Sequence, residues 1–542
     1  MSEPIAIIGI GCRFPDASGP EELWRLLEQG MDATGEPPPG RSGAEAPHAH
    51  TPALFRHPPG RRGGSPGDAH RPPPNTRRPP PDVRRWPPET REAAFTGAGH
   101  DEAARLDPLQ GLLLMTAWEA LEDAGVAPSR IAGSRTAVFL GDSHMSHAWR
   151  RYRKAPLRPS VIRDHGGLPA RRLSLTFGLR GPAVTLDTAC ASSLTAVHLA
   201  CQSLRAGEAG LALAGGVNLR SLAEEDVLFG ESLVPALREN SLFAQDGMIS
   251  LDGKIALDEM IALNSHGADA DGSPREDGIG IIVLKSLERA LADGDAVRAV
   301  ILGSAVANDG ANDGATGGAA SRPAASGMAG LMRTAMCLER GRVPSTPAAG
   351  APRPRTPCDR PRTEVAATAH ELPEGTVAGV SGRGSSSVSV HVVLARAPVA
   401  VSRPAAAPRR HLFTMSARSP EALARLAQAY LALLERDDAP SIRDLCYSAA
   451  TRRDHHPCRF AVVVDSADDL KKVLAAFPAA IPSLGPAPSP GPGTSPDSAL
   501  DTLAARYMRG EESIDWEGAF DAAAVFVRLP LYPWRAAHPW LD

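Results

Sequence analysis

The chain has 542 residues, 58 basic against 62 acidic, for a formal charge of −4. That balance excludes a nucleic-acid binder relying on overall positive charge. Hydrophobic residues make up 43%, enough for one or two ordinary cores, while Gly and Pro number 51 each, well above average usage, so part of the chain reads as loop or disorder. No apolar run approaches the ~20 residues of a membrane-spanning helix, and Ile5 to Ile10 lacks a basic lead-in or a small-residue cleavage site. The expectation is a soluble, cytoplasmic protein with neither nucleic acid nor membrane among its partners. The seven cysteines are odd in number, scattered and without a Cys-x-x-Cys pair, a pattern of free thiols with no zinc site and no disulfide framework.

In chain order, Pro4 to Gly11 (PIAIIGIG) is a short β-branched run closing on glycine, which predicts a buried strand. A helix is expected over Glu21 to Gln29. Sixteen prolines fall between Pro37 and Pro88 among Arg, Gly and His, and residues 37–92 read as loop or disorder because such a stretch loses backbone donors and buries little apolar surface. Asp107-Pro108 caps a helix carrying Leu109, Leu112, Leu113, Trp118 and Leu121 at helical spacing. Strand-like segments at Thr136 to Leu140, Ala183 to Leu186, Leu211 to Ala214, Gly280 to Leu284 and Val297 to Leu302 alternate with helical patterns, including Leu194, Val197, Cys201 and Leu204. That alternation predicts a layered α/β fold for residues 1–398. Residues 343–365 form a second Pro/Arg-rich patch. Beyond it, a helix at Ser419 to Glu435, a strand at Phe460 to Val464 and a helix at Ala467 to Ala476 define a small separate α/β unit over 399–482. Residues 483–498 read as a Pro/Gly/Ser linker, and 499–542 as an extended tail ending in Leu529-Pro-Leu-Tyr-Pro-Trp534.

The sharpest chemical feature is Gly181-Pro-Ala-Val-Thr-Leu-Asp-Thr-Ala-Cys190-Ala-Ser-Ser193, where a buried strand runs through a turn of small residues into a helix. A thiol at such a junction is a nucleophile elbow, its thiolate favoured by the helix N-terminus. For an arbitrary cysteine the plainer reading is a small buried side chain; the strand-turn-helix context reverses it.

The stretch Asp187-Thr-Ala-Cys190-Ala-Ser-Ser193 resembles the active-site motif of β-ketoacyl synthases, specifically ketosynthase domains of modular type I polyketide synthases. Pro4 to Pro15, Asp107 to Gly125, Leu211 to Leu219, Asp277 to Lys285, Gly303 to Gly310 and Gly327 to Pro344 resemble further segments of that domain in the correct order. Residues 399–482 resemble the linker that follows it, and Val527 to Asp542 the segment that normally follows an acyltransferase domain, yet no acyltransferase lies between them. The resemblance implies a thiolase-like α/β/α/β/α fold and a homodimer. It also implies that Cys190 takes an acyl chain from the phosphopantetheine arm of an acyl carrier protein. No tightly bound cofactor is implied, and malonyl loading would come from a separate acyltransferase acting in trans. The backbone N–H groups of Cys190 and Ser385 would hold the oxyanion.

The chain departs from the family at its histidines. The family's His-Gly-Thr-Gly-Thr and Asn-Ile-Gly-His motifs lie between the segments matched here by Gly310 and Gly327, and the sixteen residues separating those glycines contain no histidine. His266-Gly267 precedes Gly278 instead of following it. His198 falls eight residues after Cys190 on the same helix and reads as a packing or hydrogen-bonding residue; His391 reads as structural, and His144, His147 and His165 as surface residues. The family's glycine-rich loop, usually Gly-Phe-Gly-Gly-Thr-Asn, is matched by Gly384-Ser-Ser-Ser-Val-Ser389, which places Ser385 where the family has a gating aromatic. The expectation is a ketosynthase that accepts an acyl group but condenses poorly. The alternatives are a non-catalytic scaffold or docking unit and a decayed relic whose Pro/Arg-rich stretches arose from a shifted reading frame.

Overall fold

The computed structural model describes residues 3–14, 17–29, 108–142, 169–188, 191–218, 278–308, 326–345, 369–383, 388–398, 410–480 and 499–534, apart from 512, 513, 517 and 522. The first part of the chain forms β1 (Ile5–Arg13), α1 (Pro20–Gln29), α2 (Pro108–Asp123), α3 (Pro128–Ile131), β2 (Thr136–Asp142), α4 (Pro169–Thr176), β3 (Ala183–Leu186), α5 (Ser192–Arg205) and β4 (Leu211–Asn218). There follow β5 (Gly278–Ser286), α6 (Leu287–Ala292), β6 (Ala299–Asn308), α7 (Ser326–Arg340), the short pair β7 (Arg342–Val343) and β8 (His370–Glu371), then β9 (Val377–Arg383) and β10 (Val388–Arg396). The last part comprises β11 (His411–Ala417), α8 (Pro420–Leu434), α9 (Ile442–Thr451), β12 (Cys458–Val464), α10 (Ala467–Ala480) and α11 (Ala499–Met508).

Eight strands form one sheet in the order β3-β2-β4-β5-β1-β6-β10-β9. β2 pairs in parallel with β3 and β4, and every other ladder is antiparallel. β1 joins β6 through only Ile5, Ala6 and Ile7, so the five-stranded and three-stranded parts of the sheet meet at a narrow seam. Strand β1 also carries a register shift between Ile7 and Gly9. Beyond this bulge Ile10 and Cys12 point to the same side as Ile5 and Ile7, while Ala6 and Ile8 point to the other. Gly9 and Gly11 lie against α2, where an added Cβ would meet the backbone nitrogens of Ala124 and Ala120 at 2.8 Å. A strand with no side chain at these places lets the helix seat directly on its backbone.

One face of the sheet is covered by α2 and α4 through Leu113, Trp118, Leu121, Ala170 and Leu173. The other is covered by α5 and α7 through Leu194, Val197, Cys201, Met328, Met332 and Met336. Both central helices also meet β9 and β10. They therefore lie between the two parts of the sheet, in the layered α/β arrangement expected.

The unit beyond residue 410 has its own antiparallel β11-β12 pair. Its helices begin where the sequence places serine: Ser419 Oγ accepts from the Ala422 N–H, Ser441 Oγ from Asp444 and Ser466 Oγ from Asp469, each at 3.2 Å. The unit is packed onto the core, for Phe413, Met415, Leu423 and Tyr430 share one apolar cluster with Ile8, Leu121 and Val138. The segment from 499 is extended only in its later part. It opens with α11, whose Ala504 and Tyr507 pack on Leu412 and Ala461. The extended stretch then crosses α9 and α2: Val525 N–H donates to Asp444 Oδ1 at 3.0 Å, Val527 N–H to Ser448 Oγ at 2.9 Å and Tyr532 N–H to Glu122 Oε2 at 2.7 Å. Much of the Pro/Arg-rich stretches 37–92 and 343–365 lies outside the described residues.

Candidate active site

The predicted nucleophile Cys190 and the predicted oxyanion residue Ser385 both lie outside the described residues, as do His144, His147, His165 and His266. The described residues on either side of Cys190 are closely tied. Thr188 N–H donates to Ser192 Oγ at 2.8 Å, Ala191 N–H donates to the Thr188 carbonyl at 3.3 Å, and the Thr188 and Thr195 hydroxyls share a hydrogen bond of 2.9 Å. Thr195 Oγ1 in turn donates to the Ala191 carbonyl at 2.9 Å. Three hydroxyls thus tie the turn between β3 and α5 to the first turn of the helix. Short polar side chains at a helix start serve this purpose well, because they bond nearby backbone without filling space.

Three glycines from separate elements bring their backbones onto the same helix end. An added Cβ on Gly141, in β2, would lie 2.6 Å from Ser193 N and 2.7 Å from Ser192 Cβ. On Gly327, near the start of α7, it would lie 2.8 Å from Leu194 Cγ and 3.2 Å from Ser193 Oγ. On Gly382, at the end of β9, it would lie 3.0 Å from Leu194 Cδ1 and 3.8 Å from Ala191 Cα. The start of α5 is therefore enclosed by backbone from β2, α7 and β9. Strand β9 passes Ala191 at Gly382, one residue before its end at Arg383. The sequence reading missed this enclosure; a glycine near a strand end or a helix start is its only local signal.

The two described histidines considered as candidates have partners in the fold. His198 Nδ1 bonds Ser304 Oγ at 3.0 Å, and His391 Nδ1 bonds Ser381 Oγ at 2.7 Å. Burial lowers both pKa values, helped for His198 by the nearby Arg205 charge. These are the packing and structural roles expected of them. Of the described thiols, Cys12, Cys201, Cys337 and Cys446 are buried and Cys458 is half-buried. Burial pushes Cys12 and Cys201 up to about 12 and Cys337 to about 11, and it raises Cys446 and Cys458 as well. None of these five is a thiolate near neutrality. Among the described residues no group of three or more His, Cys, Asp or Glu is placed to hold a metal ion, and no helix is long and apolar enough to cross a membrane.

A second feature the sequence did not announce is a buried charge network behind the sheet. Asp123 accepts from the Ile10 N–H at 2.7 Å and from Arg298 at 2.6 and 2.9 Å. Arg298 also pairs with Glu339, which accepts from Arg528 at 2.7 Å. Arg13 pairs with Glu119, and Arg453 with Glu122 at 2.6 Å. Burial would raise the Asp123 pKa, but the Arg298 and Arg528 charges and the Ile10 N–H outweigh it and hold the carboxyl low. Glu119, buried against Arg13, is pushed up to about 7. The network joins β1, α2, α7 and the extended C-terminal stretch.

A strand-turn-helix elbow enclosed by three backbones, in a sheet covered on both faces, defines a thiolase-like condensing-enzyme fold. The ketosynthase from module 6 of the bacillaene synthase of Bacillus subtilis superposes with a TM-score of 0.72 at 21% identity over 100% of both chains. The oxazolomycin ketosynthase domain of Streptomyces albus gives 0.72 at 23% identity, over 98% of this chain and 97% of its own. The β-ketoacyl synthase N-terminal domain family matches residues 2–290, and the CurL-like polyketide synthase C-terminal family matches 411–474. The chain belongs to the β-ketoacyl synthase family, as a ketosynthase of the polyketide synthase type carrying a CurL-like C-terminal unit. Polyketide synthase GfsA of Streptomyces halstedii is 32% identical over 89% of this chain and 7% of its own length. A phenolphthiocerol/phthiocerol polyketide synthase of Mycobacterium tuberculosis is 39% identical over 57% of this chain and 18% of its own. The chain thus spans under a fifth of the length of these relatives.

Proposed function

We propose that this protein is an acyl-accepting ketosynthase in which Cys190 is the nucleophile. Its thiolate attacks the carbonyl carbon of an acyl thioester on the phosphopantetheine arm of an acyl carrier protein. The backbone N–H groups of Cys190 and Ser385 hold the oxyanion, and the carrier thiolate leaves as the acyl-cysteine forms. The observation that carries this reading is the approach of Gly382 to Ala191, with 3.8 Å from an added Cβ to Ala191 Cα. Ala191 follows Cys190 directly, and Ser385 is three residues beyond Gly382. The raised pKa values of Cys12, Cys201 and Cys337 favour Cys190 further, since each of those thiols is buried and protonated.

Condensation is the weaker half of the activity. Decarboxylating a malonyl-type extender and stabilising its enolate calls for general acid and base groups, and residues 311–326 contain no histidine. Losing such groups costs about 10²- to 10⁴-fold. A separate acyltransferase supplies the extender in this reading. The exposed edge strand β3, with Ala183 and Val184 open to solvent, is the surface through which two copies pair.

The test is the intact mass of the purified protein, wild type beside Cys190→Ala, after incubation with acyl-carrier and acyl-thioester donors of several chain lengths. An acyl adduct lost in Cys190→Ala is the expected result. No adduct with any donor, on a folded protein, leaves the scaffold reading, which the histidine-free stretch also favours.

A further inference from the structure

We propose an internal water site where the extended C-terminal stretch closes on the fold: one water molecule bridges the Arg453 Nε–H and the Tyr430 hydroxyl. The inference is independent of the role given to Cys190. The cavity at this place is lined by Glu122 of α2, Tyr430 of α8, Arg453 just beyond α9, and Pro530 and Tyr532 of the extended stretch. About 20 Å³ of it is open to the centre of a water molecule, and one water needs about 10–15 Å³ on that measure. The space suits a single water and is too small for a larger ligand.

The polar groups on its walls call for such a partner. Arg453 spends the rest of its guanidinium on protein acceptors: Nη1 pairs with Glu122 at 2.6 Å, and Nη2 donates to the carbonyls of Leu529 and Pro530 at 3.1 and 3.0 Å. Its Nε–H is buried and among the described residues makes no hydrogen bond. A buried donor on a charged group is costly to leave unpaired. Tyr430 is 3% exposed. Its ring stands edge-on to Phe413, centroids 5.0 Å apart, and its hydroxyl lies near enough to Arg453 and Glu122 to feel both charges. Burial raises the phenol pKa, so the hydroxyl keeps its proton and can either donate or accept. A water between the two accepts from Nε and bonds the phenol, and the Glu122 carboxylate on the same wall is an acceptor for a remaining proton. Cavities with such walls hold water, whereas those that stay dry are lined by apolar side chains. The bridge ties α8 to the arginine that grips the Leu529 and Pro530 carbonyls, and so helps to hold the stretch in place.

The test is a crystal structure of the full chain at about 1.8 Å, with the melting temperature, for wild type and Tyr430→Phe. Phenylalanine keeps the ring packing and removes only the hydroxyl. The expected result is density for a water within about 3.2 Å of both Arg453 Nε and Tyr430 Oη, lost or displaced in Tyr430→Phe, and a melting temperature lower by about 1–3 °C in the variant. In a dry cavity the hydroxyl has no water to lose, and its removal leaves the melting temperature unchanged or raises it. A wild-type cavity without density overturns the proposal. Density at Arg453 that stays in place in Tyr430→Phe, with an unchanged melting temperature, overturns the bridge.

Discussion

Gly141→Ala places one methyl group between β2 and the first turn of α5. The added Cβ would start 2.6 Å from Ser193 N and 2.7 Å from Ser192 Cβ, against an ordinary separation of about 3.5 Å. To restore that separation the helix end must retreat by roughly 1 Å, and it is backbone that must move. Overpacking of this kind costs about 1–3 kcal/mol of stability. A displacement of about 1 Å at a reacting group costs on the order of 10²-fold in rate. Gly303→Ala is the matched control, since nothing lies within 4 Å of its added Cβ. The paired assay is urea unfolding together with the rate of acyl loading followed by intact mass. Gly141→Ala should lose both stability and loading, and Gly303→Ala neither. If Gly141→Ala loads acyl groups as fast as Gly303→Ala with equal stability, the enclosure of the α5 end is not what holds the nucleophile in place.

Asp123→Asn should destabilise by about 3–5 kcal/mol, because it leaves Arg298 and Arg528 buried beside one remaining carboxylate, Glu339; adding Arg298→Met should recover part of that loss in a urea double-mutant cycle, and a single-mutant loss below about 1 kcal/mol would remove the network from the account of stability. His456 packs against Trp118 and edge-on to Tyr532, and burial, with the Arg418 charge adding to it, pushes its pKa from 6.5 down to about 3. The folded state holds it neutral while the unfolded chain takes up a proton, so its contribution is complete above pH 6.5 and declines as the pH falls toward 3, at about 1.4 kcal/mol per unit. His456→Gln should therefore lose about 2–3 kcal/mol less than wild type between pH 6 and 4; parallel stability curves would contradict this. Arg528→Met removes a guanidinium that bonds Glu339 Oε1 and the Ala296 carbonyl, each at 2.7 Å, and should raise hydrogen exchange of Val525 and Val527 amides before it affects α5.

Much of the fold was legible in the sequence because the relevant signals are local. The apolar run at Ile5, the Leu and Trp spacing of α2, and serine followed by a helical pattern at Ser419 each depend on neighbours within a few residues. The strand and helix on either side of the predicted elbow, β3 and α5, were legible for the same reason. The enclosure of that elbow was not legible. Gly141, Gly327 and Gly382 are separated by 186 and 55 positions, and a glycine does not state whose backbone will approach it. The C-terminal segment was read as an extended tail, but helix α11 forms because Ala504 and Tyr507 find an apolar surface on Leu412 and Ala461; propensity alone is weak for ten residues. The charged residues carried no sign of their fate either. Glu119, Glu122 and Asp123 look like an exposed helix end, and only packing under Arg13, Arg453, Arg298 and Arg528 turns them inward. What the sequence by itself determined was the elements with a strong local pattern, the family motif and the cysteine within it, because periodicity and short motifs are properties of adjacent residues. What only the tertiary structure decided was which distant glycines yield space to the helix carrying that motif, and which arginines neutralise the acids behind it, because both are contacts between residues that the chain order keeps apart.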